Sequence, residues 1–169
     1  MKRFTLASFS LLYALAQALG HAAEITAAPA DSWPMYRGTA SLTGLSKSKL
    51  SSSLKRLWAF KAEEGIHGTA AIADSRVFVG CDDGKLYALD FKTGKQIWSF
   101  KTEDIVESAP LVRDGKVYFG SSDCFVYALD AKDGKLLWKF ETEDRVLGAP
   151  NFFQPKGKDA KPSLIVGSY

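Results

Sequence analysis

Between residues 109 and 141 apolar and polar positions alternate in runs too short for helices and with the spacing of β-strands. The pattern predicts a strand over 109–112, a turn at 113–116 and a second strand over 117–121. A turn at 122–124 leads into a third strand over 125–130, and a turn at 131–135 into a fourth over 136–141. The steps Asp83-Gly84 and Asp114-Gly115 suit these turns, since tight hairpins need positive backbone angles that such pairs adopt readily. Four strands in about 40 residues amount to one propeller blade. The acidic stretch 142–145 is then the crossing to the next blade.

The same pattern recurs. Trp58, Trp98 and Trp138 are spaced 40 residues apart, and sliding residues 68–107 onto 108–147 gives 17 identities in 40 positions without a gap. A third copy starts at Gly148-Ala149-Pro150, is interrupted by an insertion over 154–162, and resumes at Leu164-Ile165-Val166-Gly167-Ser168. The predicted fold is therefore all-β, with blade repeats at 68–107 and 108–147 and an incomplete one at 148–169. An outer strand near 55–61 precedes them. That makes about two and a half four-stranded blades, whereas closed propellers have about 4 to 8, so the chain is expected to be the amino-terminal fragment of a longer protein.

Composition changes this picture little. Of 169 residues 46% are hydrophobic and 24% charged, which suits a single globular domain. Met1 to Ala23 reads as an export signal, with Lys2 and Arg3 before an apolar stretch and small residues around Ala22. Polar Ser8, Ser10 and Gln17 interrupt the stretch, which falls short of the roughly 20 residues of a membrane span. Removing the leader leaves 20 cations against 19 carboxylates, too even a balance to attract nucleic acid. The expected product is periplasmic or secreted, with no stable membrane span. Residues 24–54 form an opening segment and polar linker, and 55–169 the partial propeller. Cys81 and Cys124 are open to pairing in an oxidising compartment or to separate burial. With one histidine, His67, in the mature chain, no zinc site is expected.

The stretch Ala88-x-Asp90-x-x-Thr93-Gly94-x-x-x-Trp98 recurs as Ala128-x-Asp130-x-x-Asp133-Gly134-x-x-x-Trp138. Its chemistry assigns each member a structural task. The Asp90 carboxylate accepts N–H groups of the following turn, Gly94 supplies a left-handed corner, and the indole of Trp98 packs between blades beside small Ala88. Trp98 and Trp138 are expected to pack in the same way, each against the neighbouring blade.

This spacing resembles the tryptophan-docking motif of the pyrroloquinoline quinone (PQQ)-like β-propeller repeat family. The opening Trp33-Pro34-Met35-Tyr36-Arg37-Gly38, with Thr43-Gly44 after it, is similar to the segment before the first blade in exported members. The family includes quinoprotein dehydrogenases, a lipoprotein that helps assemble outer-membrane barrels, and many propellers without established chemistry. In the enzymes, the resemblance implies, the quinone sits over the central channel with calcium, beneath a disulfide of adjacent cysteines. Adjacent cysteines and a C-x-x-C-H haem site do not occur here. The resemblance thus implies PQQ with calcium only if the full-length protein is a quinoprotein.

Candidate ligand positions lie at the blade crossings, where the 40-residue shift equates His67, Glu107 and Leu147. Asp82 and Asp83 read as a turn rather than a calcium site. Lys156, Lys158 and Lys161 read as an exposed hairpin loop, with an acidic partner as the sharper alternative. The expected function is an exported binding or scaffold module that meets a protein or small ligand at blade loops or the channel end. The alternative is the amino-terminal part of a quinoprotein alcohol or sugar dehydrogenase.

Overall fold

The computed structural model describes residues 32–46, 48–49, 51–157 and 161–169, so the leader over 1–23 and Lys158 lie outside the described residues. Two four-stranded antiparallel sheets repeat one another. The first runs β1 (Ala71–Ala73), β2 (Arg76–Gly80), β3 (Lys85–Asp90) and β4 (Gln96–Lys101), paired in that order. The second runs β5 (Leu111–Arg113), β6 (Lys116–Gly120), β7 (Phe125–Asp130) and β8 (Leu136–Glu141). A third unit holds the antiparallel pair β9 (Asn151–Phe153) and β10 (Ser163–Ile165), on either side of the insertion.

The turn chemistry sets the registers. Asp114 (φ 50°) and Gly115 (φ 70°) close the β5–β6 hairpin, and Asp74 (φ 50°) with Ser75 (φ 58°) does the same between β1 and β2. In both blades the register of the third and fourth strands slips after the Ala–Trp pair. Ala88 faces Trp98 but Leu89 faces Gln96, and Ala128 faces Trp138 but Leu129 faces Leu136. The extra residue, Ile97 or Leu137, is about half exposed.

Gly84 (φ 74°) is the left-handed corner of the β2–β3 turn, and the residue in its place in the second blade is Cys124 (φ 68°). A side chain in this conformation is strained by about 1 to 2 kcal/mol, from which the added freedom of glycine in the unfolded chain subtracts about 0.4 to 1. Cys124→Gly is therefore expected to stabilise the fold by roughly 0.5 to 1 kcal/mol, read as a rise in the urea midpoint. A lower midpoint would show that the thiol contributes more than its backbone costs. Both cysteines are free thiols, and burial pushes that of Cys81 up.

The core lies between the sheets. Phe78, Leu86, Val106, Phe119 and Leu129 are fully buried there, and Phe100 of β4 packs edge-on against Phe119 and Tyr127 of the second blade. The crossing after β4 is wedged between blades: Val106 N–H donates to the carbonyl of Cys81 (3.1 Å), while the Ile105 carbonyl accepts from Ser122 N–H (3.0 Å). Val146 N–H repeats the first bond on the Ser121 carbonyl (3.1 Å). Gly80 and Gly120 make room for these crossings, since a Cβ at either would overlap Val106 or Val146.

Two expectations from the sequence need correction. Residues 55–61 form no strand, because among the described residues no third strand lies beside them to pair with. Trp58 nevertheless docks on the first blade. Trp138, expected to pack against a neighbouring blade, is instead 41% exposed and meets Tyr118 of its own sheet, with ring centroids 5.9 Å apart. Around it Leu136, Leu137 and Phe140 are also exposed, because no described turn of a further blade reaches this outer part of β8.

Candidate functional site

The docking motif builds the frame. The Asp90 carboxylate accepts from Lys92 N–H (3.1 Å), Thr93 N–H (2.8 Å) and the Thr93 hydroxyl (2.7 Å), and the last of these leads in holding it below the usual carboxylate range. Asp130 accepts from Lys132 N–H (2.7 Å). Gly94 (φ 68°) and Gly134 (φ 75°) then turn the chain so that an indole from earlier in the chain lies against them. Trp98 Nε1 donates to the Ala131 carbonyl (3.2 Å) and its ring would lie 2.7 Å from a Cβ at Gly134. Trp58 Nε1 donates likewise to the Phe91 carbonyl (2.9 Å), and its ring would lie 2.5 Å from a Cβ at Gly94.

The turn aspartates Asp83 and Asp123 are structural in their contacts. Asp83 Oδ1 accepts from Lys85 N–H (2.9 Å) and its Oδ2 from the Tyr87 hydroxyl. Asp123 repeats both bonds, with Phe125 N–H (3.1 Å) and the Tyr127 hydroxyl (2.6 Å). Burial pushes the Asp83 carboxyl up, yet the hydrogen bonds from Tyr87, Cys81 and Lys85 outweigh it and hold the group below its ordinary 3.8. Burial also raises the Tyr87 phenol, to about 12. A carboxyl with a depressed folded value stabilises the fold fully above about pH 5 and loses that contribution as pH falls below about 4, through the folded value. The stability gap between wild type and Tyr87→Phe should therefore narrow as pH falls from 5 to 3. A gap of equal size at pH 7 and pH 3 would sink the assignment.

The variable crossing residues come together. His67, Glu107 and Leu147 line one cavity of about 420 Å³, each placed just before the first strand of its repeat. Small residues one position later bring the repeats close. A Cβ at Gly68 would lie 2.5 Å from the Glu107 carbonyl oxygen, and Ser108 Oγ donates to the Gly148 carbonyl (2.8 Å). His67 Nε2 is 3.1 Å from Asp82 Oδ2, while Oδ1 of Asp82 is buried without a hydrogen-bond partner.

Among the lining residues that sequence reasoning missed are Tyr36, Leu42 and Asn151. The opening segment brings in the first two. Trp33 exchanges backbone hydrogen bonds with Ile72 (2.7 and 2.8 Å), and the Pro34 carbonyl accepts from Val112 N–H (2.7 Å), which stitches the segment to two successive blades. Met35 is buried there. Asn151 did carry a signal: it stands where the earlier repeats have Ala71 and Leu111. Its Nδ2 donates to the Ala40 carbonyl (3.4 Å), tying the opening segment to the third unit.

Repeated four-stranded sheets, stacked through docked tryptophans around a cavity at their crossings, define a propeller of the tryptophan-docking kind. A family model described as outer membrane protein assembly factor BamB matches residues 50–155. The chain belongs to this family of PQQ-like repeat propellers. BamB from Moraxella catarrhalis is 29% identical over 56% of this chain and 30% of its own, with a TM-score of 0.50. The quinohemoprotein alcohol dehydrogenase from Comamonas testosteroni is 25% identical over 72% of this chain and 22% of its own, with a TM-score of 0.62. A europium-containing methanol dehydrogenase, 21% identical, shares the fold over 80% of this chain and 30% of its own (TM-score 0.63). The chain thus spans under a third of each of these relatives. No curated protein matches it.

PQQ is a quinone bearing three carboxylates, so its pocket calls for cationic donors, and its calcium for several oxygen ligands. Among the described residues the cavity has no lysine or arginine in its lining and a single carboxylate, Glu107, and no group of three His, Cys, Asp or Glu could hold a metal ion. These residues do not fit the quinone with its metal.

Proposed function

We propose that the chain is an exported PQQ-like repeat module that binds a protein or small ligand at the crossing cavity and blade loops, as a scaffold rather than an enzyme. The observation that carries this reading is the gathering of His67, Glu107 and Leu147, three different side chains at one equivalent position, around one cavity. A repeated frame with variable residues at a shared opening is how a propeller acquires binding specificity without changing its fold. The leader at 1–23, the opening segment at 24–54 and the propeller from 55 to 169, with repeats at 68–107, 108–147 and 148–169, belong to the same proposal, as does a periplasmic or secreted location. No helix among the described residues is long and apolar enough to cross a membrane. The open face around Trp138 supports placing the arc within a larger ring of blades.

The test is selection of displayed random peptides on the immobilised mature chain. Enriched peptides are expected to lose binding to the double variant His67→Ala, Glu107→Ala while that variant keeps the wild-type melting temperature within a few degrees. Equal binding to both proteins would move the binding surface elsewhere. Calcium- and PQQ-dependent oxidation of an alcohol or sugar by a protein that contains these blades would favour the dehydrogenase alternative.

A further inference from the structure

The lining of the crossing cavity holds one carboxylate, Glu107, beside the imidazole of His67. The Glu107 carboxylate has no hydrogen-bond or ion-pair partner among the described residues. Asp82 stands at the next remove, holding His67 by one oxygen and leaving the other buried and unpaired. No lysine or arginine among the described residues lines the cavity to offset them. A partly buried carboxylate without a partner favours a cation, because beside the protein surface the attraction is screened less than in bulk water. The remaining walls suit what carries such a cation. Tyr36 offers an aromatic face, while Leu42, Leu147 and Pro150 are apolar surfaces along which an alkyl stem can lie.

We propose that this cavity is a binding site for an ammonium or guanidinium group on an alkyl stem, as carried by a lysine or arginine side chain, with Glu107 as its counter-ion. The inference rests on the binding-module reading above and names the ligand chemistry for that site. The same cation could be borne by a free alkylamine or by a basic residue of a partner polypeptide, and the two sources are separable by experiment. An anionic ligand such as the quinone would meet Glu107 as a like charge.

The test is calorimetric titration of the whole mature chain with four probes: agmatine, the peptide acetyl-Ala-Arg-Ala-amide, its citrulline counterpart, and butyrate. Agmatine and the arginine peptide are expected to bind, and the citrulline peptide and butyrate to bind at least about tenfold more weakly, the usual scale for losing a charged hydrogen bond. Glu107→Gln should weaken both cations about tenfold, whereas Glu143→Gln, an exposed carboxylate outside the cavity, should leave them unchanged. Should Glu107→Gln fail to fold, Leu147→Glu supplies the opposite readout, since a second carboxylate at the equivalent position should tighten agmatine several-fold. Peptide binding much tighter than agmatine would point to a polypeptide source, and equal binding to a free amine. If citrulline or butyrate binds as well as the cations, the ligand class is overturned and the binding-module reading stands. If none of the four binds, the inference is overturned, and the peptide selection decides the broader reading.

Discussion

Trp98→Ala is expected to destabilise the fold by roughly 3 to 5 kcal/mol. The indole is 9% exposed, donates to the Ala131 carbonyl, lies on Gly134 and packs on Phe78 with centroids 5.8 Å apart. Its removal leaves a cavity between two blades and orphans a buried carbonyl, and neither sheet can collapse into the gap without tearing the crossing at Val106. The same change at Trp138 should cost less than half as much, because that ring already faces solvent on one side. Urea unfolding of the two variants checks the contrast. Equal losses would mean that docking between blades contributes little and that the tryptophans act only within their own sheets.

The second large effect belongs to a residue with no side chain. Gly120→Ala would place a methyl group 2.6 Å from both the carbonyl oxygen and the Cβ of Val146 and closer still to its Cγ1. The obstacle includes backbone that is itself hydrogen-bonded to Ser121, so a rotamer change cannot clear it. Overpacking of this kind costs about 1 to 3 kcal/mol and occasionally more, and the upper end is expected here. Gly115→Ala provides the comparison. That glycine has a positive φ of 70° but nothing within 4 Å of an added Cβ, so its loss is limited to backbone strain of about 1 kcal/mol. A smaller loss in melting temperature for Gly120→Ala than for Gly115→Ala would refute the crowding argument.

Most of the frame was legible because the residues that build it act locally. The span of the third strand, 125–130, and of the fourth, 136–141, followed from alternation, and the Asp-Gly corners from the limited set of residues that adopt positive φ. The 40-residue period gave the equivalence of His67, Glu107 and Leu147, and hence part of the cavity wall. What alternation could not reveal was pairing. Residues 55–61 carry the apolar spacing of a strand yet form none, since a strand requires a neighbour and not only a pattern. Trp138 matches Trp98 in sequence and differs from it in burial for the same reason. The contribution of Tyr36 and Leu42 was hidden because the opening segment meets the blades through backbone hydrogen bonds, which any sequence of suitable geometry can make.

The stitching of that segment bears on the order in which the molecule assembles. Within each blade every strand pairs with its immediate successor, so the sheets close short loops and can form early. Trp33, Pro34 and Ala40 instead reach Ile72, Val112 and Asn151, the last across 111 residues. During synthesis the segment emerges before the blades and must wait, undocked, until parts of three successive repeats have followed it. Its docking then records that the blades stand side by side in the correct order. Amide hydrogens of Ile72 and Val112, protected only at that final step, should therefore gain protection in pulse-labelled refolding later than those in the middle of β3 and β7.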